Sequence, residues 1–356
     1  MSDARRLDDQ GWLRQIDLSD MLGLVEVLPQ QCREAERIAR SMPLPHWNGV
    51  QHILVVGMGG SAIGGDFVRA LANEQCSVPV SVHRSDTLPR WVGRQCLVVA
   101  ASYSGNTEET LAAYAEAKRR QARLMAITTG GELAALAAND DCPIVRIPGG
   151  LPPRAAIGYS FVPLLVLCER LGLLPAQGEA LAEMFEVLEK QRALYGRQSP
   201  SSQNPAKALA AALVGYAPVV LGSEGCSGVA AYRWKCQFNE NSKAPAFWNV
   251  FPELTHNETV GWEKADEVLQ RLHVVLLRDT RDSERSTCRI DVATQIMGRK
   301  AEGITEFWAE GDSSVARLFS LVYPGDFVTT YLALLYGVDP TPIQAIDFLK
   351  EELKKR

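Results

Sequence analysis

The chain has 356 residues, 46% of them hydrophobic and 22% charged, and a net charge of −5. That length accommodates two ordinary domains with real cores, and the composition is that of a soluble globular protein. The acidic balance argues against a nucleic-acid binder, which needs a basic face; Lys and Arg are scattered apart from the tail Lys350-Glu-Glu-Leu-Lys-Lys-Arg356.

The first residues, Met1 to Asp9, carry no apolar signal-peptide core. Residues 1–47 read as a helical segment, with a helix over 19–41 capped by Ser19-Asp20, interrupted by Pro29 and ended before Pro43 and Pro45. Strands at 52–57, 78–83, 96–101, 123–128 and 143–147 then alternate with helices at 61–73, 107–120 and 132–138. Their continuous apolar runs predict a parallel sheet buried on both faces, with helices on each side. Residues 148–154 break the pattern. A strongly apolar helix over 156–173 and a second over 178–196 follow. The polar stretch Gln198-Ser-Pro-Ser-Ser-Gln-Asn-Pro205 is the best linker candidate.

Beyond it the pattern repeats. Ala217-Pro-Val-Val-Leu-Gly-Ser-Glu-Gly-Cys-Ser-Gly228 echoes Ile53-Leu-Val-Val-Gly-Met-Gly-Gly-Ser-Ala-Ile-Gly-Gly65 as strand, Gly/Ser loop and helix. His273–Arg278 echoes the strand at 96–101, and Gly303–Phe307 the strand near Leu124. The expectation is an internally duplicated α/β protein, two similar halves each with its own mainly parallel sheet. The division follows as 1–47 helical, 48–154 first subdomain, 155–203 helical connector, 204–338 second subdomain and 339–356 C-terminal helix. No apolar run is expected to span a membrane; the nearest, Phe161 to Leu174, is broken by Glu169 and Arg170. Eight cysteines without a C-x-x-C pair suit reduced, cytoplasmic thiols. Five scattered histidines (His46, His52, His83, His256, His273) give no metal spacing, and none is expected.

Two loops concentrate the chemistry. Gly57-Met-Gly-Gly-Ser61 and Ser102-Tyr-Ser-Gly-Asn-Thr107 each follow a buried strand and open a helix. Such loops expose backbone N–H groups and hydroxyls at a positive helix end, which suits phosphate. In successive strand–helix units they can converge at the carboxyl ends of one sheet. Gly59 and Gly60 allow close backbone approach, and Ser61, Ser102, Ser104 and Thr107 can donate to an oxyanion. The corresponding loop of the second half, Arg278-Asp-Thr-Arg-Asp-Ser-Glu-Arg285, is full of carboxylates, so a dianion prefers the first. Two other readings stay open at this point. The Ser, Asn and Thr residues can be helix caps alone, and Gly57-x-Gly59-x-x-Ala62 with Asp86 fits a loose dinucleotide fingerprint.

Together with Glu240-Asn-Ser-Lys243 and Pro252-Glu-Leu-Thr-His-Asn-Glu258, these loops resemble the bifunctional phosphoglucose/phosphomannose isomerases, a family of sugar isomerase (SIS) domain proteins. The resemblance implies two SIS-type three-layer αβα subdomains. It implies conversion of glucose 6-phosphate or mannose 6-phosphate to fructose 6-phosphate without metal or cofactor, by a homodimer whose active site is completed across the subunit interface. It assigns phosphate binding to Gly59, Gly60, Ser61, Ser102, Ser104 and Thr107, the base to Glu240, and ring opening to His256 from the partner subunit. Arg154 would stabilise the enediolate, and Lys350 would assist ring opening or substrate placement.

These residue types suit the reaction. A carboxylate on one face can move the weakly acidic proton beside a carbonyl, provided it is partly buried, and an imidazole exchanges protons near neutral pH. Glu253 and Glu258 flank His256 and are expected to fix its tautomer. Arg154 follows Pro152-Pro153, which stiffens its backbone. Thr341, between two prolines, is a candidate for lining the space around carbon 2. The competing readings are a SIS protein that binds a phosphosugar without chemistry and a nicotinamide dehydrogenase. Glu240, His256 and Arg154 together favour the enzyme over the sensor.

Overall fold

The computed structural model describes residues 3–76 and 78–355. Two parallel sheets organise it. The first contains β1 (His52–Val56), β2 (Val80–His83), β3 (Cys96–Ala101), β4 (Arg123–Thr128) and β5 (Ile144–Arg146), in the order β2-β1-β3-β4-β5. The second contains β6 (Ala217–Ser223), β7 (Phe247–Phe251), β8 (Leu272–Arg278) and β9 (Gly303–Trp308), in the order β7-β6-β8-β9. All pairings are parallel. The first four strands of each half are therefore laid out identically, which is the duplication expected from the repeated loops. In each half the direction of winding reverses between the first and third strands, and that reversal opens a crevice at the strand ends.

The contacts of the chain divide it into two discontinuous units. One comprises residues 27–188 and 311–316 and holds the first sheet. The other comprises the residues up to Glu26, 189–310 and 317–356, and holds the second sheet.

In the first unit, β1, β3 and β4 bury Leu54, Val98, Ala100 and Ala126 against Tyr114, Ala113 and Leu133 of the covering helices. The other side is covered by the helix Gly59–Gln75, which crosses the apolar helix Ile157–Arg170 so closely that a β-carbon on Gly64 would collide with the carbonyl oxygen of Ser160. The expected single N-terminal helix is two, Met21–Glu26 and Leu28–Ser41. Pro29 falls in the first turn of the second, where its missing N–H costs nothing.

In the second unit, Val219, Leu221, Val274 and Leu276 pack on Trp262, Ile290 and Met297. β7 is not among the predicted strands. It is an edge strand whose Phe247 and Trp248 are exposed, so it lacks the continuous burial that marked the others. The expectation that no segment is long and apolar enough to cross a membrane is corrected. The helix Ser314–Leu335 passes that test by length and composition, with 94% of its most apolar window buried inside the protein. It is a core helix. Trp234 lies on its Gly325 and donates its indole N–H to the Leu321 carbonyl at 2.7 Å.

The same helix carries Asp326, 4% exposed, which accepts from Arg233 Nη2 at 2.9 and 2.8 Å and from Gln237 Nε2 at 2.8 Å. Removing one member of a buried ion pair strands the other charge, at a cost of about 3–5 kcal/mol. Arg233→Met is therefore expected to lower the unfolding free energy by about 3 kcal/mol or more in urea titrations. A loss under about 1 kcal/mol would show that the pair is not a structural tie.

Candidate active site

The Gly-rich loop after β1 runs directly into the helix Gly59–Gln75, so Gly59, Gly60 and Ser61 are its first turn. Met58 precedes it without a side-chain cap, and its carbonyl accepts from the Ser61 N–H at 3.0 Å. The helix thus begins two residues earlier than the sequence predicted. Gly59 has φ +50°. Gly105 in the facing loop has φ +73°, and an added β-carbon there would collide with the Gly130 carbonyl oxygen. Glycine is required at that position.

The two loops are knitted together. Ser61 Oγ accepts from the Tyr103 N–H at 3.0 Å. Ser102 and Thr107 hydroxyls bond one another at 2.9 Å, and Ser102 Oγ accepts from Gly105 N–H at 3.1 Å. Ser104 is exposed, and its Oγ accepts from the Asn106 N–H at 3.2 Å. Thr107 is the N-cap residue of the helix Glu108–Arg119, but its hydroxyl makes no cap bond. The capping reading therefore does not account for Thr107. Gly59, Gly60, Ser61, Ser102, Ser104 and Thr107 thus belong to one pair of adjoining loops at the strand ends.

Arg154 lies beside them. It sits in a 3-10 turn, Pro153–Ala155, and is 3% exposed. A β-carbon on Gly60 would stand 2.7 Å from the Pro153 carbonyl oxygen and 3.1 Å from the Arg154 nitrogen, so the turn rests directly on the loop backbone. Gln31 fixes the far side of the turn by donating to the Ala155 carbonyl at 2.9 Å and accepting from Gly158 N–H at 2.6 Å. Tyr103, which lies inside the motif but carries no signal of this role in the sequence, is the third tie. Its hydroxyl donates to the Pro148 carbonyl at 2.9 Å and accepts from Leu151 N–H at 3.0 Å. Burial pushes its pKa up, and the Leu151 N–H partly opposes this.

The corresponding crevice of the second unit is occupied by the protein's own carboxylate. Ser223, at the end of β6, donates to Asp282 Oδ2 at 2.9 Å. Burial raises the Asp282 pKa, opposed by that hydrogen bond. Asp279 in the same loop pairs with Arg317 at 3.0 Å. The charge contrast between the halves, read from sequence, is thus built into the fold.

Glu240 is the last residue of the helix Cys226–Glu240 and is half-buried. It lines a cavity of about 600 Å³ with Asn239, Lys243, Val338, Pro342 and Ile343. His256 ends a short 3-10 turn, Glu253–His256, and is exposed. The expected carboxylate partner is corrected. Glu253 Oε1 accepts from Asn257 Nδ2 at 3.0 Å and Glu258 Oε2 from Asn249 Nδ2 at 2.6 Å, so both flanking carboxylates are taken by asparagines. Lys350 is exposed on the helix Gln344–Lys354. Neither His256 nor Lys350 is among the residues lining the Glu240 cavity. Thr341 is half-buried, and its N–H donates to Asp339 Oδ1 at 2.9 Å.

The sheet topology and paired loops define a SIS-domain protein, and a SIS family model matches residues 48–169. A second model, the bacterial phospho-glucose isomerase C-terminal SIS domain, matches residues 202–353. Among solved structures, a hypothetical protein of Thermus thermophilus superposes with TM-score 0.74 at 17% identity, over 99% of this chain and 93% of that one. The glucose-6-phosphate isomerase like protein of the same organism gives 0.62 at 21% identity, over 95% and 98%. The bifunctional phosphoglucose/phosphomannose isomerase of Caldicellulosiruptor bescii is 43% identical, over 92% of this chain and 96% of its own. That of Aquifex aeolicus is 36% identical, over 85% and 90%. The chain belongs to the family of bifunctional phosphoglucose/phosphomannose isomerases, and it is an enzyme of the isomerase class.

Because Pro153 O is backbone and cannot yield as a flexible side chain would, Gly60→Ala is expected to push the Arg154 turn off the loop. Thermal and urea unfolding should report a loss of about 1–3 kcal/mol, in the range of overpacked sites. Unchanged stability would mean that the loop and turn are not in contact.

Proposed function

We propose that the enzyme interconverts glucose 6-phosphate and mannose 6-phosphate with fructose 6-phosphate by proton transfer through an enediol. The phosphate is held by the loop N–H groups and the hydroxyls of Ser61, Ser102, Ser104 and Thr107, which lie at a helix N-terminus and carry no opposing charge. Glu240 removes the proton from carbon 2 of the open-chain aldose and returns it to carbon 1. The hydroxyl proton passes from oxygen 2 to oxygen 1, so atoms and charge balance. The enediol has no stereochemistry at carbon 2, so one intermediate leads back to both epimeric aldoses. Arg154 stabilises the charge that develops on the enediolate oxygens, and Lys350 aids ring opening or placement. No cofactor enters these steps.

The observation that carries this reading is the half-buried Glu240 on a cavity of about 600 Å³. A protein that only bound a phosphosugar would need the hydroxyl loops but no such carboxylate. The relatives in Caldicellulosiruptor bescii, Aquifex aeolicus and Thermoplasma acidophilum, each a bifunctional phosphoglucose/phosphomannose isomerase, support the same substrates.

Ring opening falls to His256 supplied by a second subunit of a homodimer. Two features support this: His256 is presented on an exposed turn, and the helix Gln344–Lys354 exposes Ile346, Leu349 and Leu353 along one stripe, with Phe348 64% exposed beside it. A second copy of the chain is the natural cover for such a stripe. The setting is cytoplasmic.

Glu240→Gln is expected to keep fructose 6-phosphate binding while lowering kcat on both aldose phosphates by about 10²–10⁴-fold. Exchange of the substrate carbon-bound proton with deuterated solvent should disappear with it. Retained exchange would remove Glu240 as the base. Binding without turnover in the wild type would leave the binding-protein reading.

A further inference from the structure

The residues around Glu240 spend their side chains on holding the end of its helix. Asn239 Nδ2 donates to the Ala244 carbonyl at 2.9 Å, Asn241 Nδ2 to Thr329 Oγ1 at 3.1 Å, and Ser242 Oγ to the Thr329 carbonyl at 2.6 Å. Lys243 is the unusual member. Its backbone is left-handed, φ +55°, a conformation that glycine adopts freely and a residue with a β-carbon adopts at a cost. Where a helix ends and the chain turns back, glycine is the expected occupant. Lysine takes the position here with a definite use. Its Nζ folds back to donate to the Glu240 carbonyl at 2.5 Å and also donates to the Pro340 carbonyl at 2.9 Å.

Those two carbonyls belong to the two segments that line one cavity. Glu240 closes the helix on one side. Pro340 sits in the segment that supplies Val338, Asp339, Pro342 and Ile343 on the other. An ammonium is well suited to the task, because the C-terminal end of a helix presents unsatisfied carbonyls and a negative dipole end.

We propose that Lys243 is a positioning residue for the isomerisation. It clamps the helix end that carries Glu240 to the 338–346 segment, and so fixes where the carboxylate stands over the sugar. This rests on the reading of Glu240 as the base. A misplaced general base loses rate rather than affinity.

Lys243→Gly separates the clamp from mere folding, since glycine relieves the left-handed backbone while removing both hydrogen bonds. Its melting temperature should match or exceed that of the wild type. Its kcat for fructose 6-phosphate should fall about 10–100-fold with KM changed less than about threefold. Lys243→Arg, which can still donate to both carbonyls, should recover most of the rate. The same assay on Glu240→Gln keeps the two ideas apart. An inactive Glu240→Gln beside a fully active Lys243→Gly overturns the clamp and leaves the base standing. An active Glu240→Gln overturns the base and the clamp together. A Lys243→Gly that loses stability and rate in step, with no recovery by Lys243→Arg, also overturns the positioning role.

Discussion

The paired loops of the first unit depend on one backbone-to-backbone contact. Gly60, in the first turn of its helix, lies so close to Pro153 that no β-carbon fits between them. Gly57 makes a similar approach to the next loop, where a β-carbon would be 2.6 Å from the Ala101 carbonyl oxygen. These glycines let three segments far apart in sequence share one small volume: the β1 loop, the β3 loop and the turn that carries Arg154. Tyr103 and Gln31 tie that turn to the rest of the first unit from either side. The result is a set of N–H groups, hydroxyls and a buried guanidinium whose scaffold is fixed by glycine packing. Such prior ordering is what electrostatic stabilisation of a charged substrate requires.

The duplicated fold carries two differently charged crevices. Each half has the same strand layout and therefore the same kind of crevice at its strand ends. In the first half the crevice is neutral and hydroxyl-rich. In the second, Asp282 accepts from Ser223, and Asp279 engages Arg317, so the equivalent space is filled by the chain's own charges. The second half offers different groups. The helix that follows its Gly/Ser loop extends to Glu240 and presents it to a cavity.

The sheets were legible in the sequence because parallel strands buried on both faces give unbroken apolar runs, as in Cys96–Ala101 and His273–Leu277. β7 was not, because an edge strand with exposed Phe247 and Trp248 has no such signature. The helix Ser314–Leu335 escaped notice for the opposite reason. Its buried polar residues, Arg317, Asp326, Thr329 and Thr330, interrupt the apolar run, and the partners that make them tolerable, such as Arg233 for Asp326, are distant in the chain. At the site, the loop residues were legible as a pattern of glycines and hydroxyls. The burial of Arg154 was not, since a loop-end arginine reads as surface until the turn is seen resting on Gly60. The partners of Glu253 and Glu258 were likewise hidden. Proximity in sequence suggested His256, whereas the asparagines at 257 and 249 hold geometry that favours them.

Anchoring of the phosphosugar in the neutral crevice of the first unit is the proposal on which the mechanism turns. It is tested most directly by a crystal structure of the enzyme with fructose 6-phosphate. The expected result is a phosphorus atom bonded through its oxygens to Ser61, Ser102, Ser104 and Thr107, on the N-terminal turn that begins at Gly59. A phosphate seated instead among Ser223, Asp279 and Asp282 of the second unit, or away from both crevices, would contradict it.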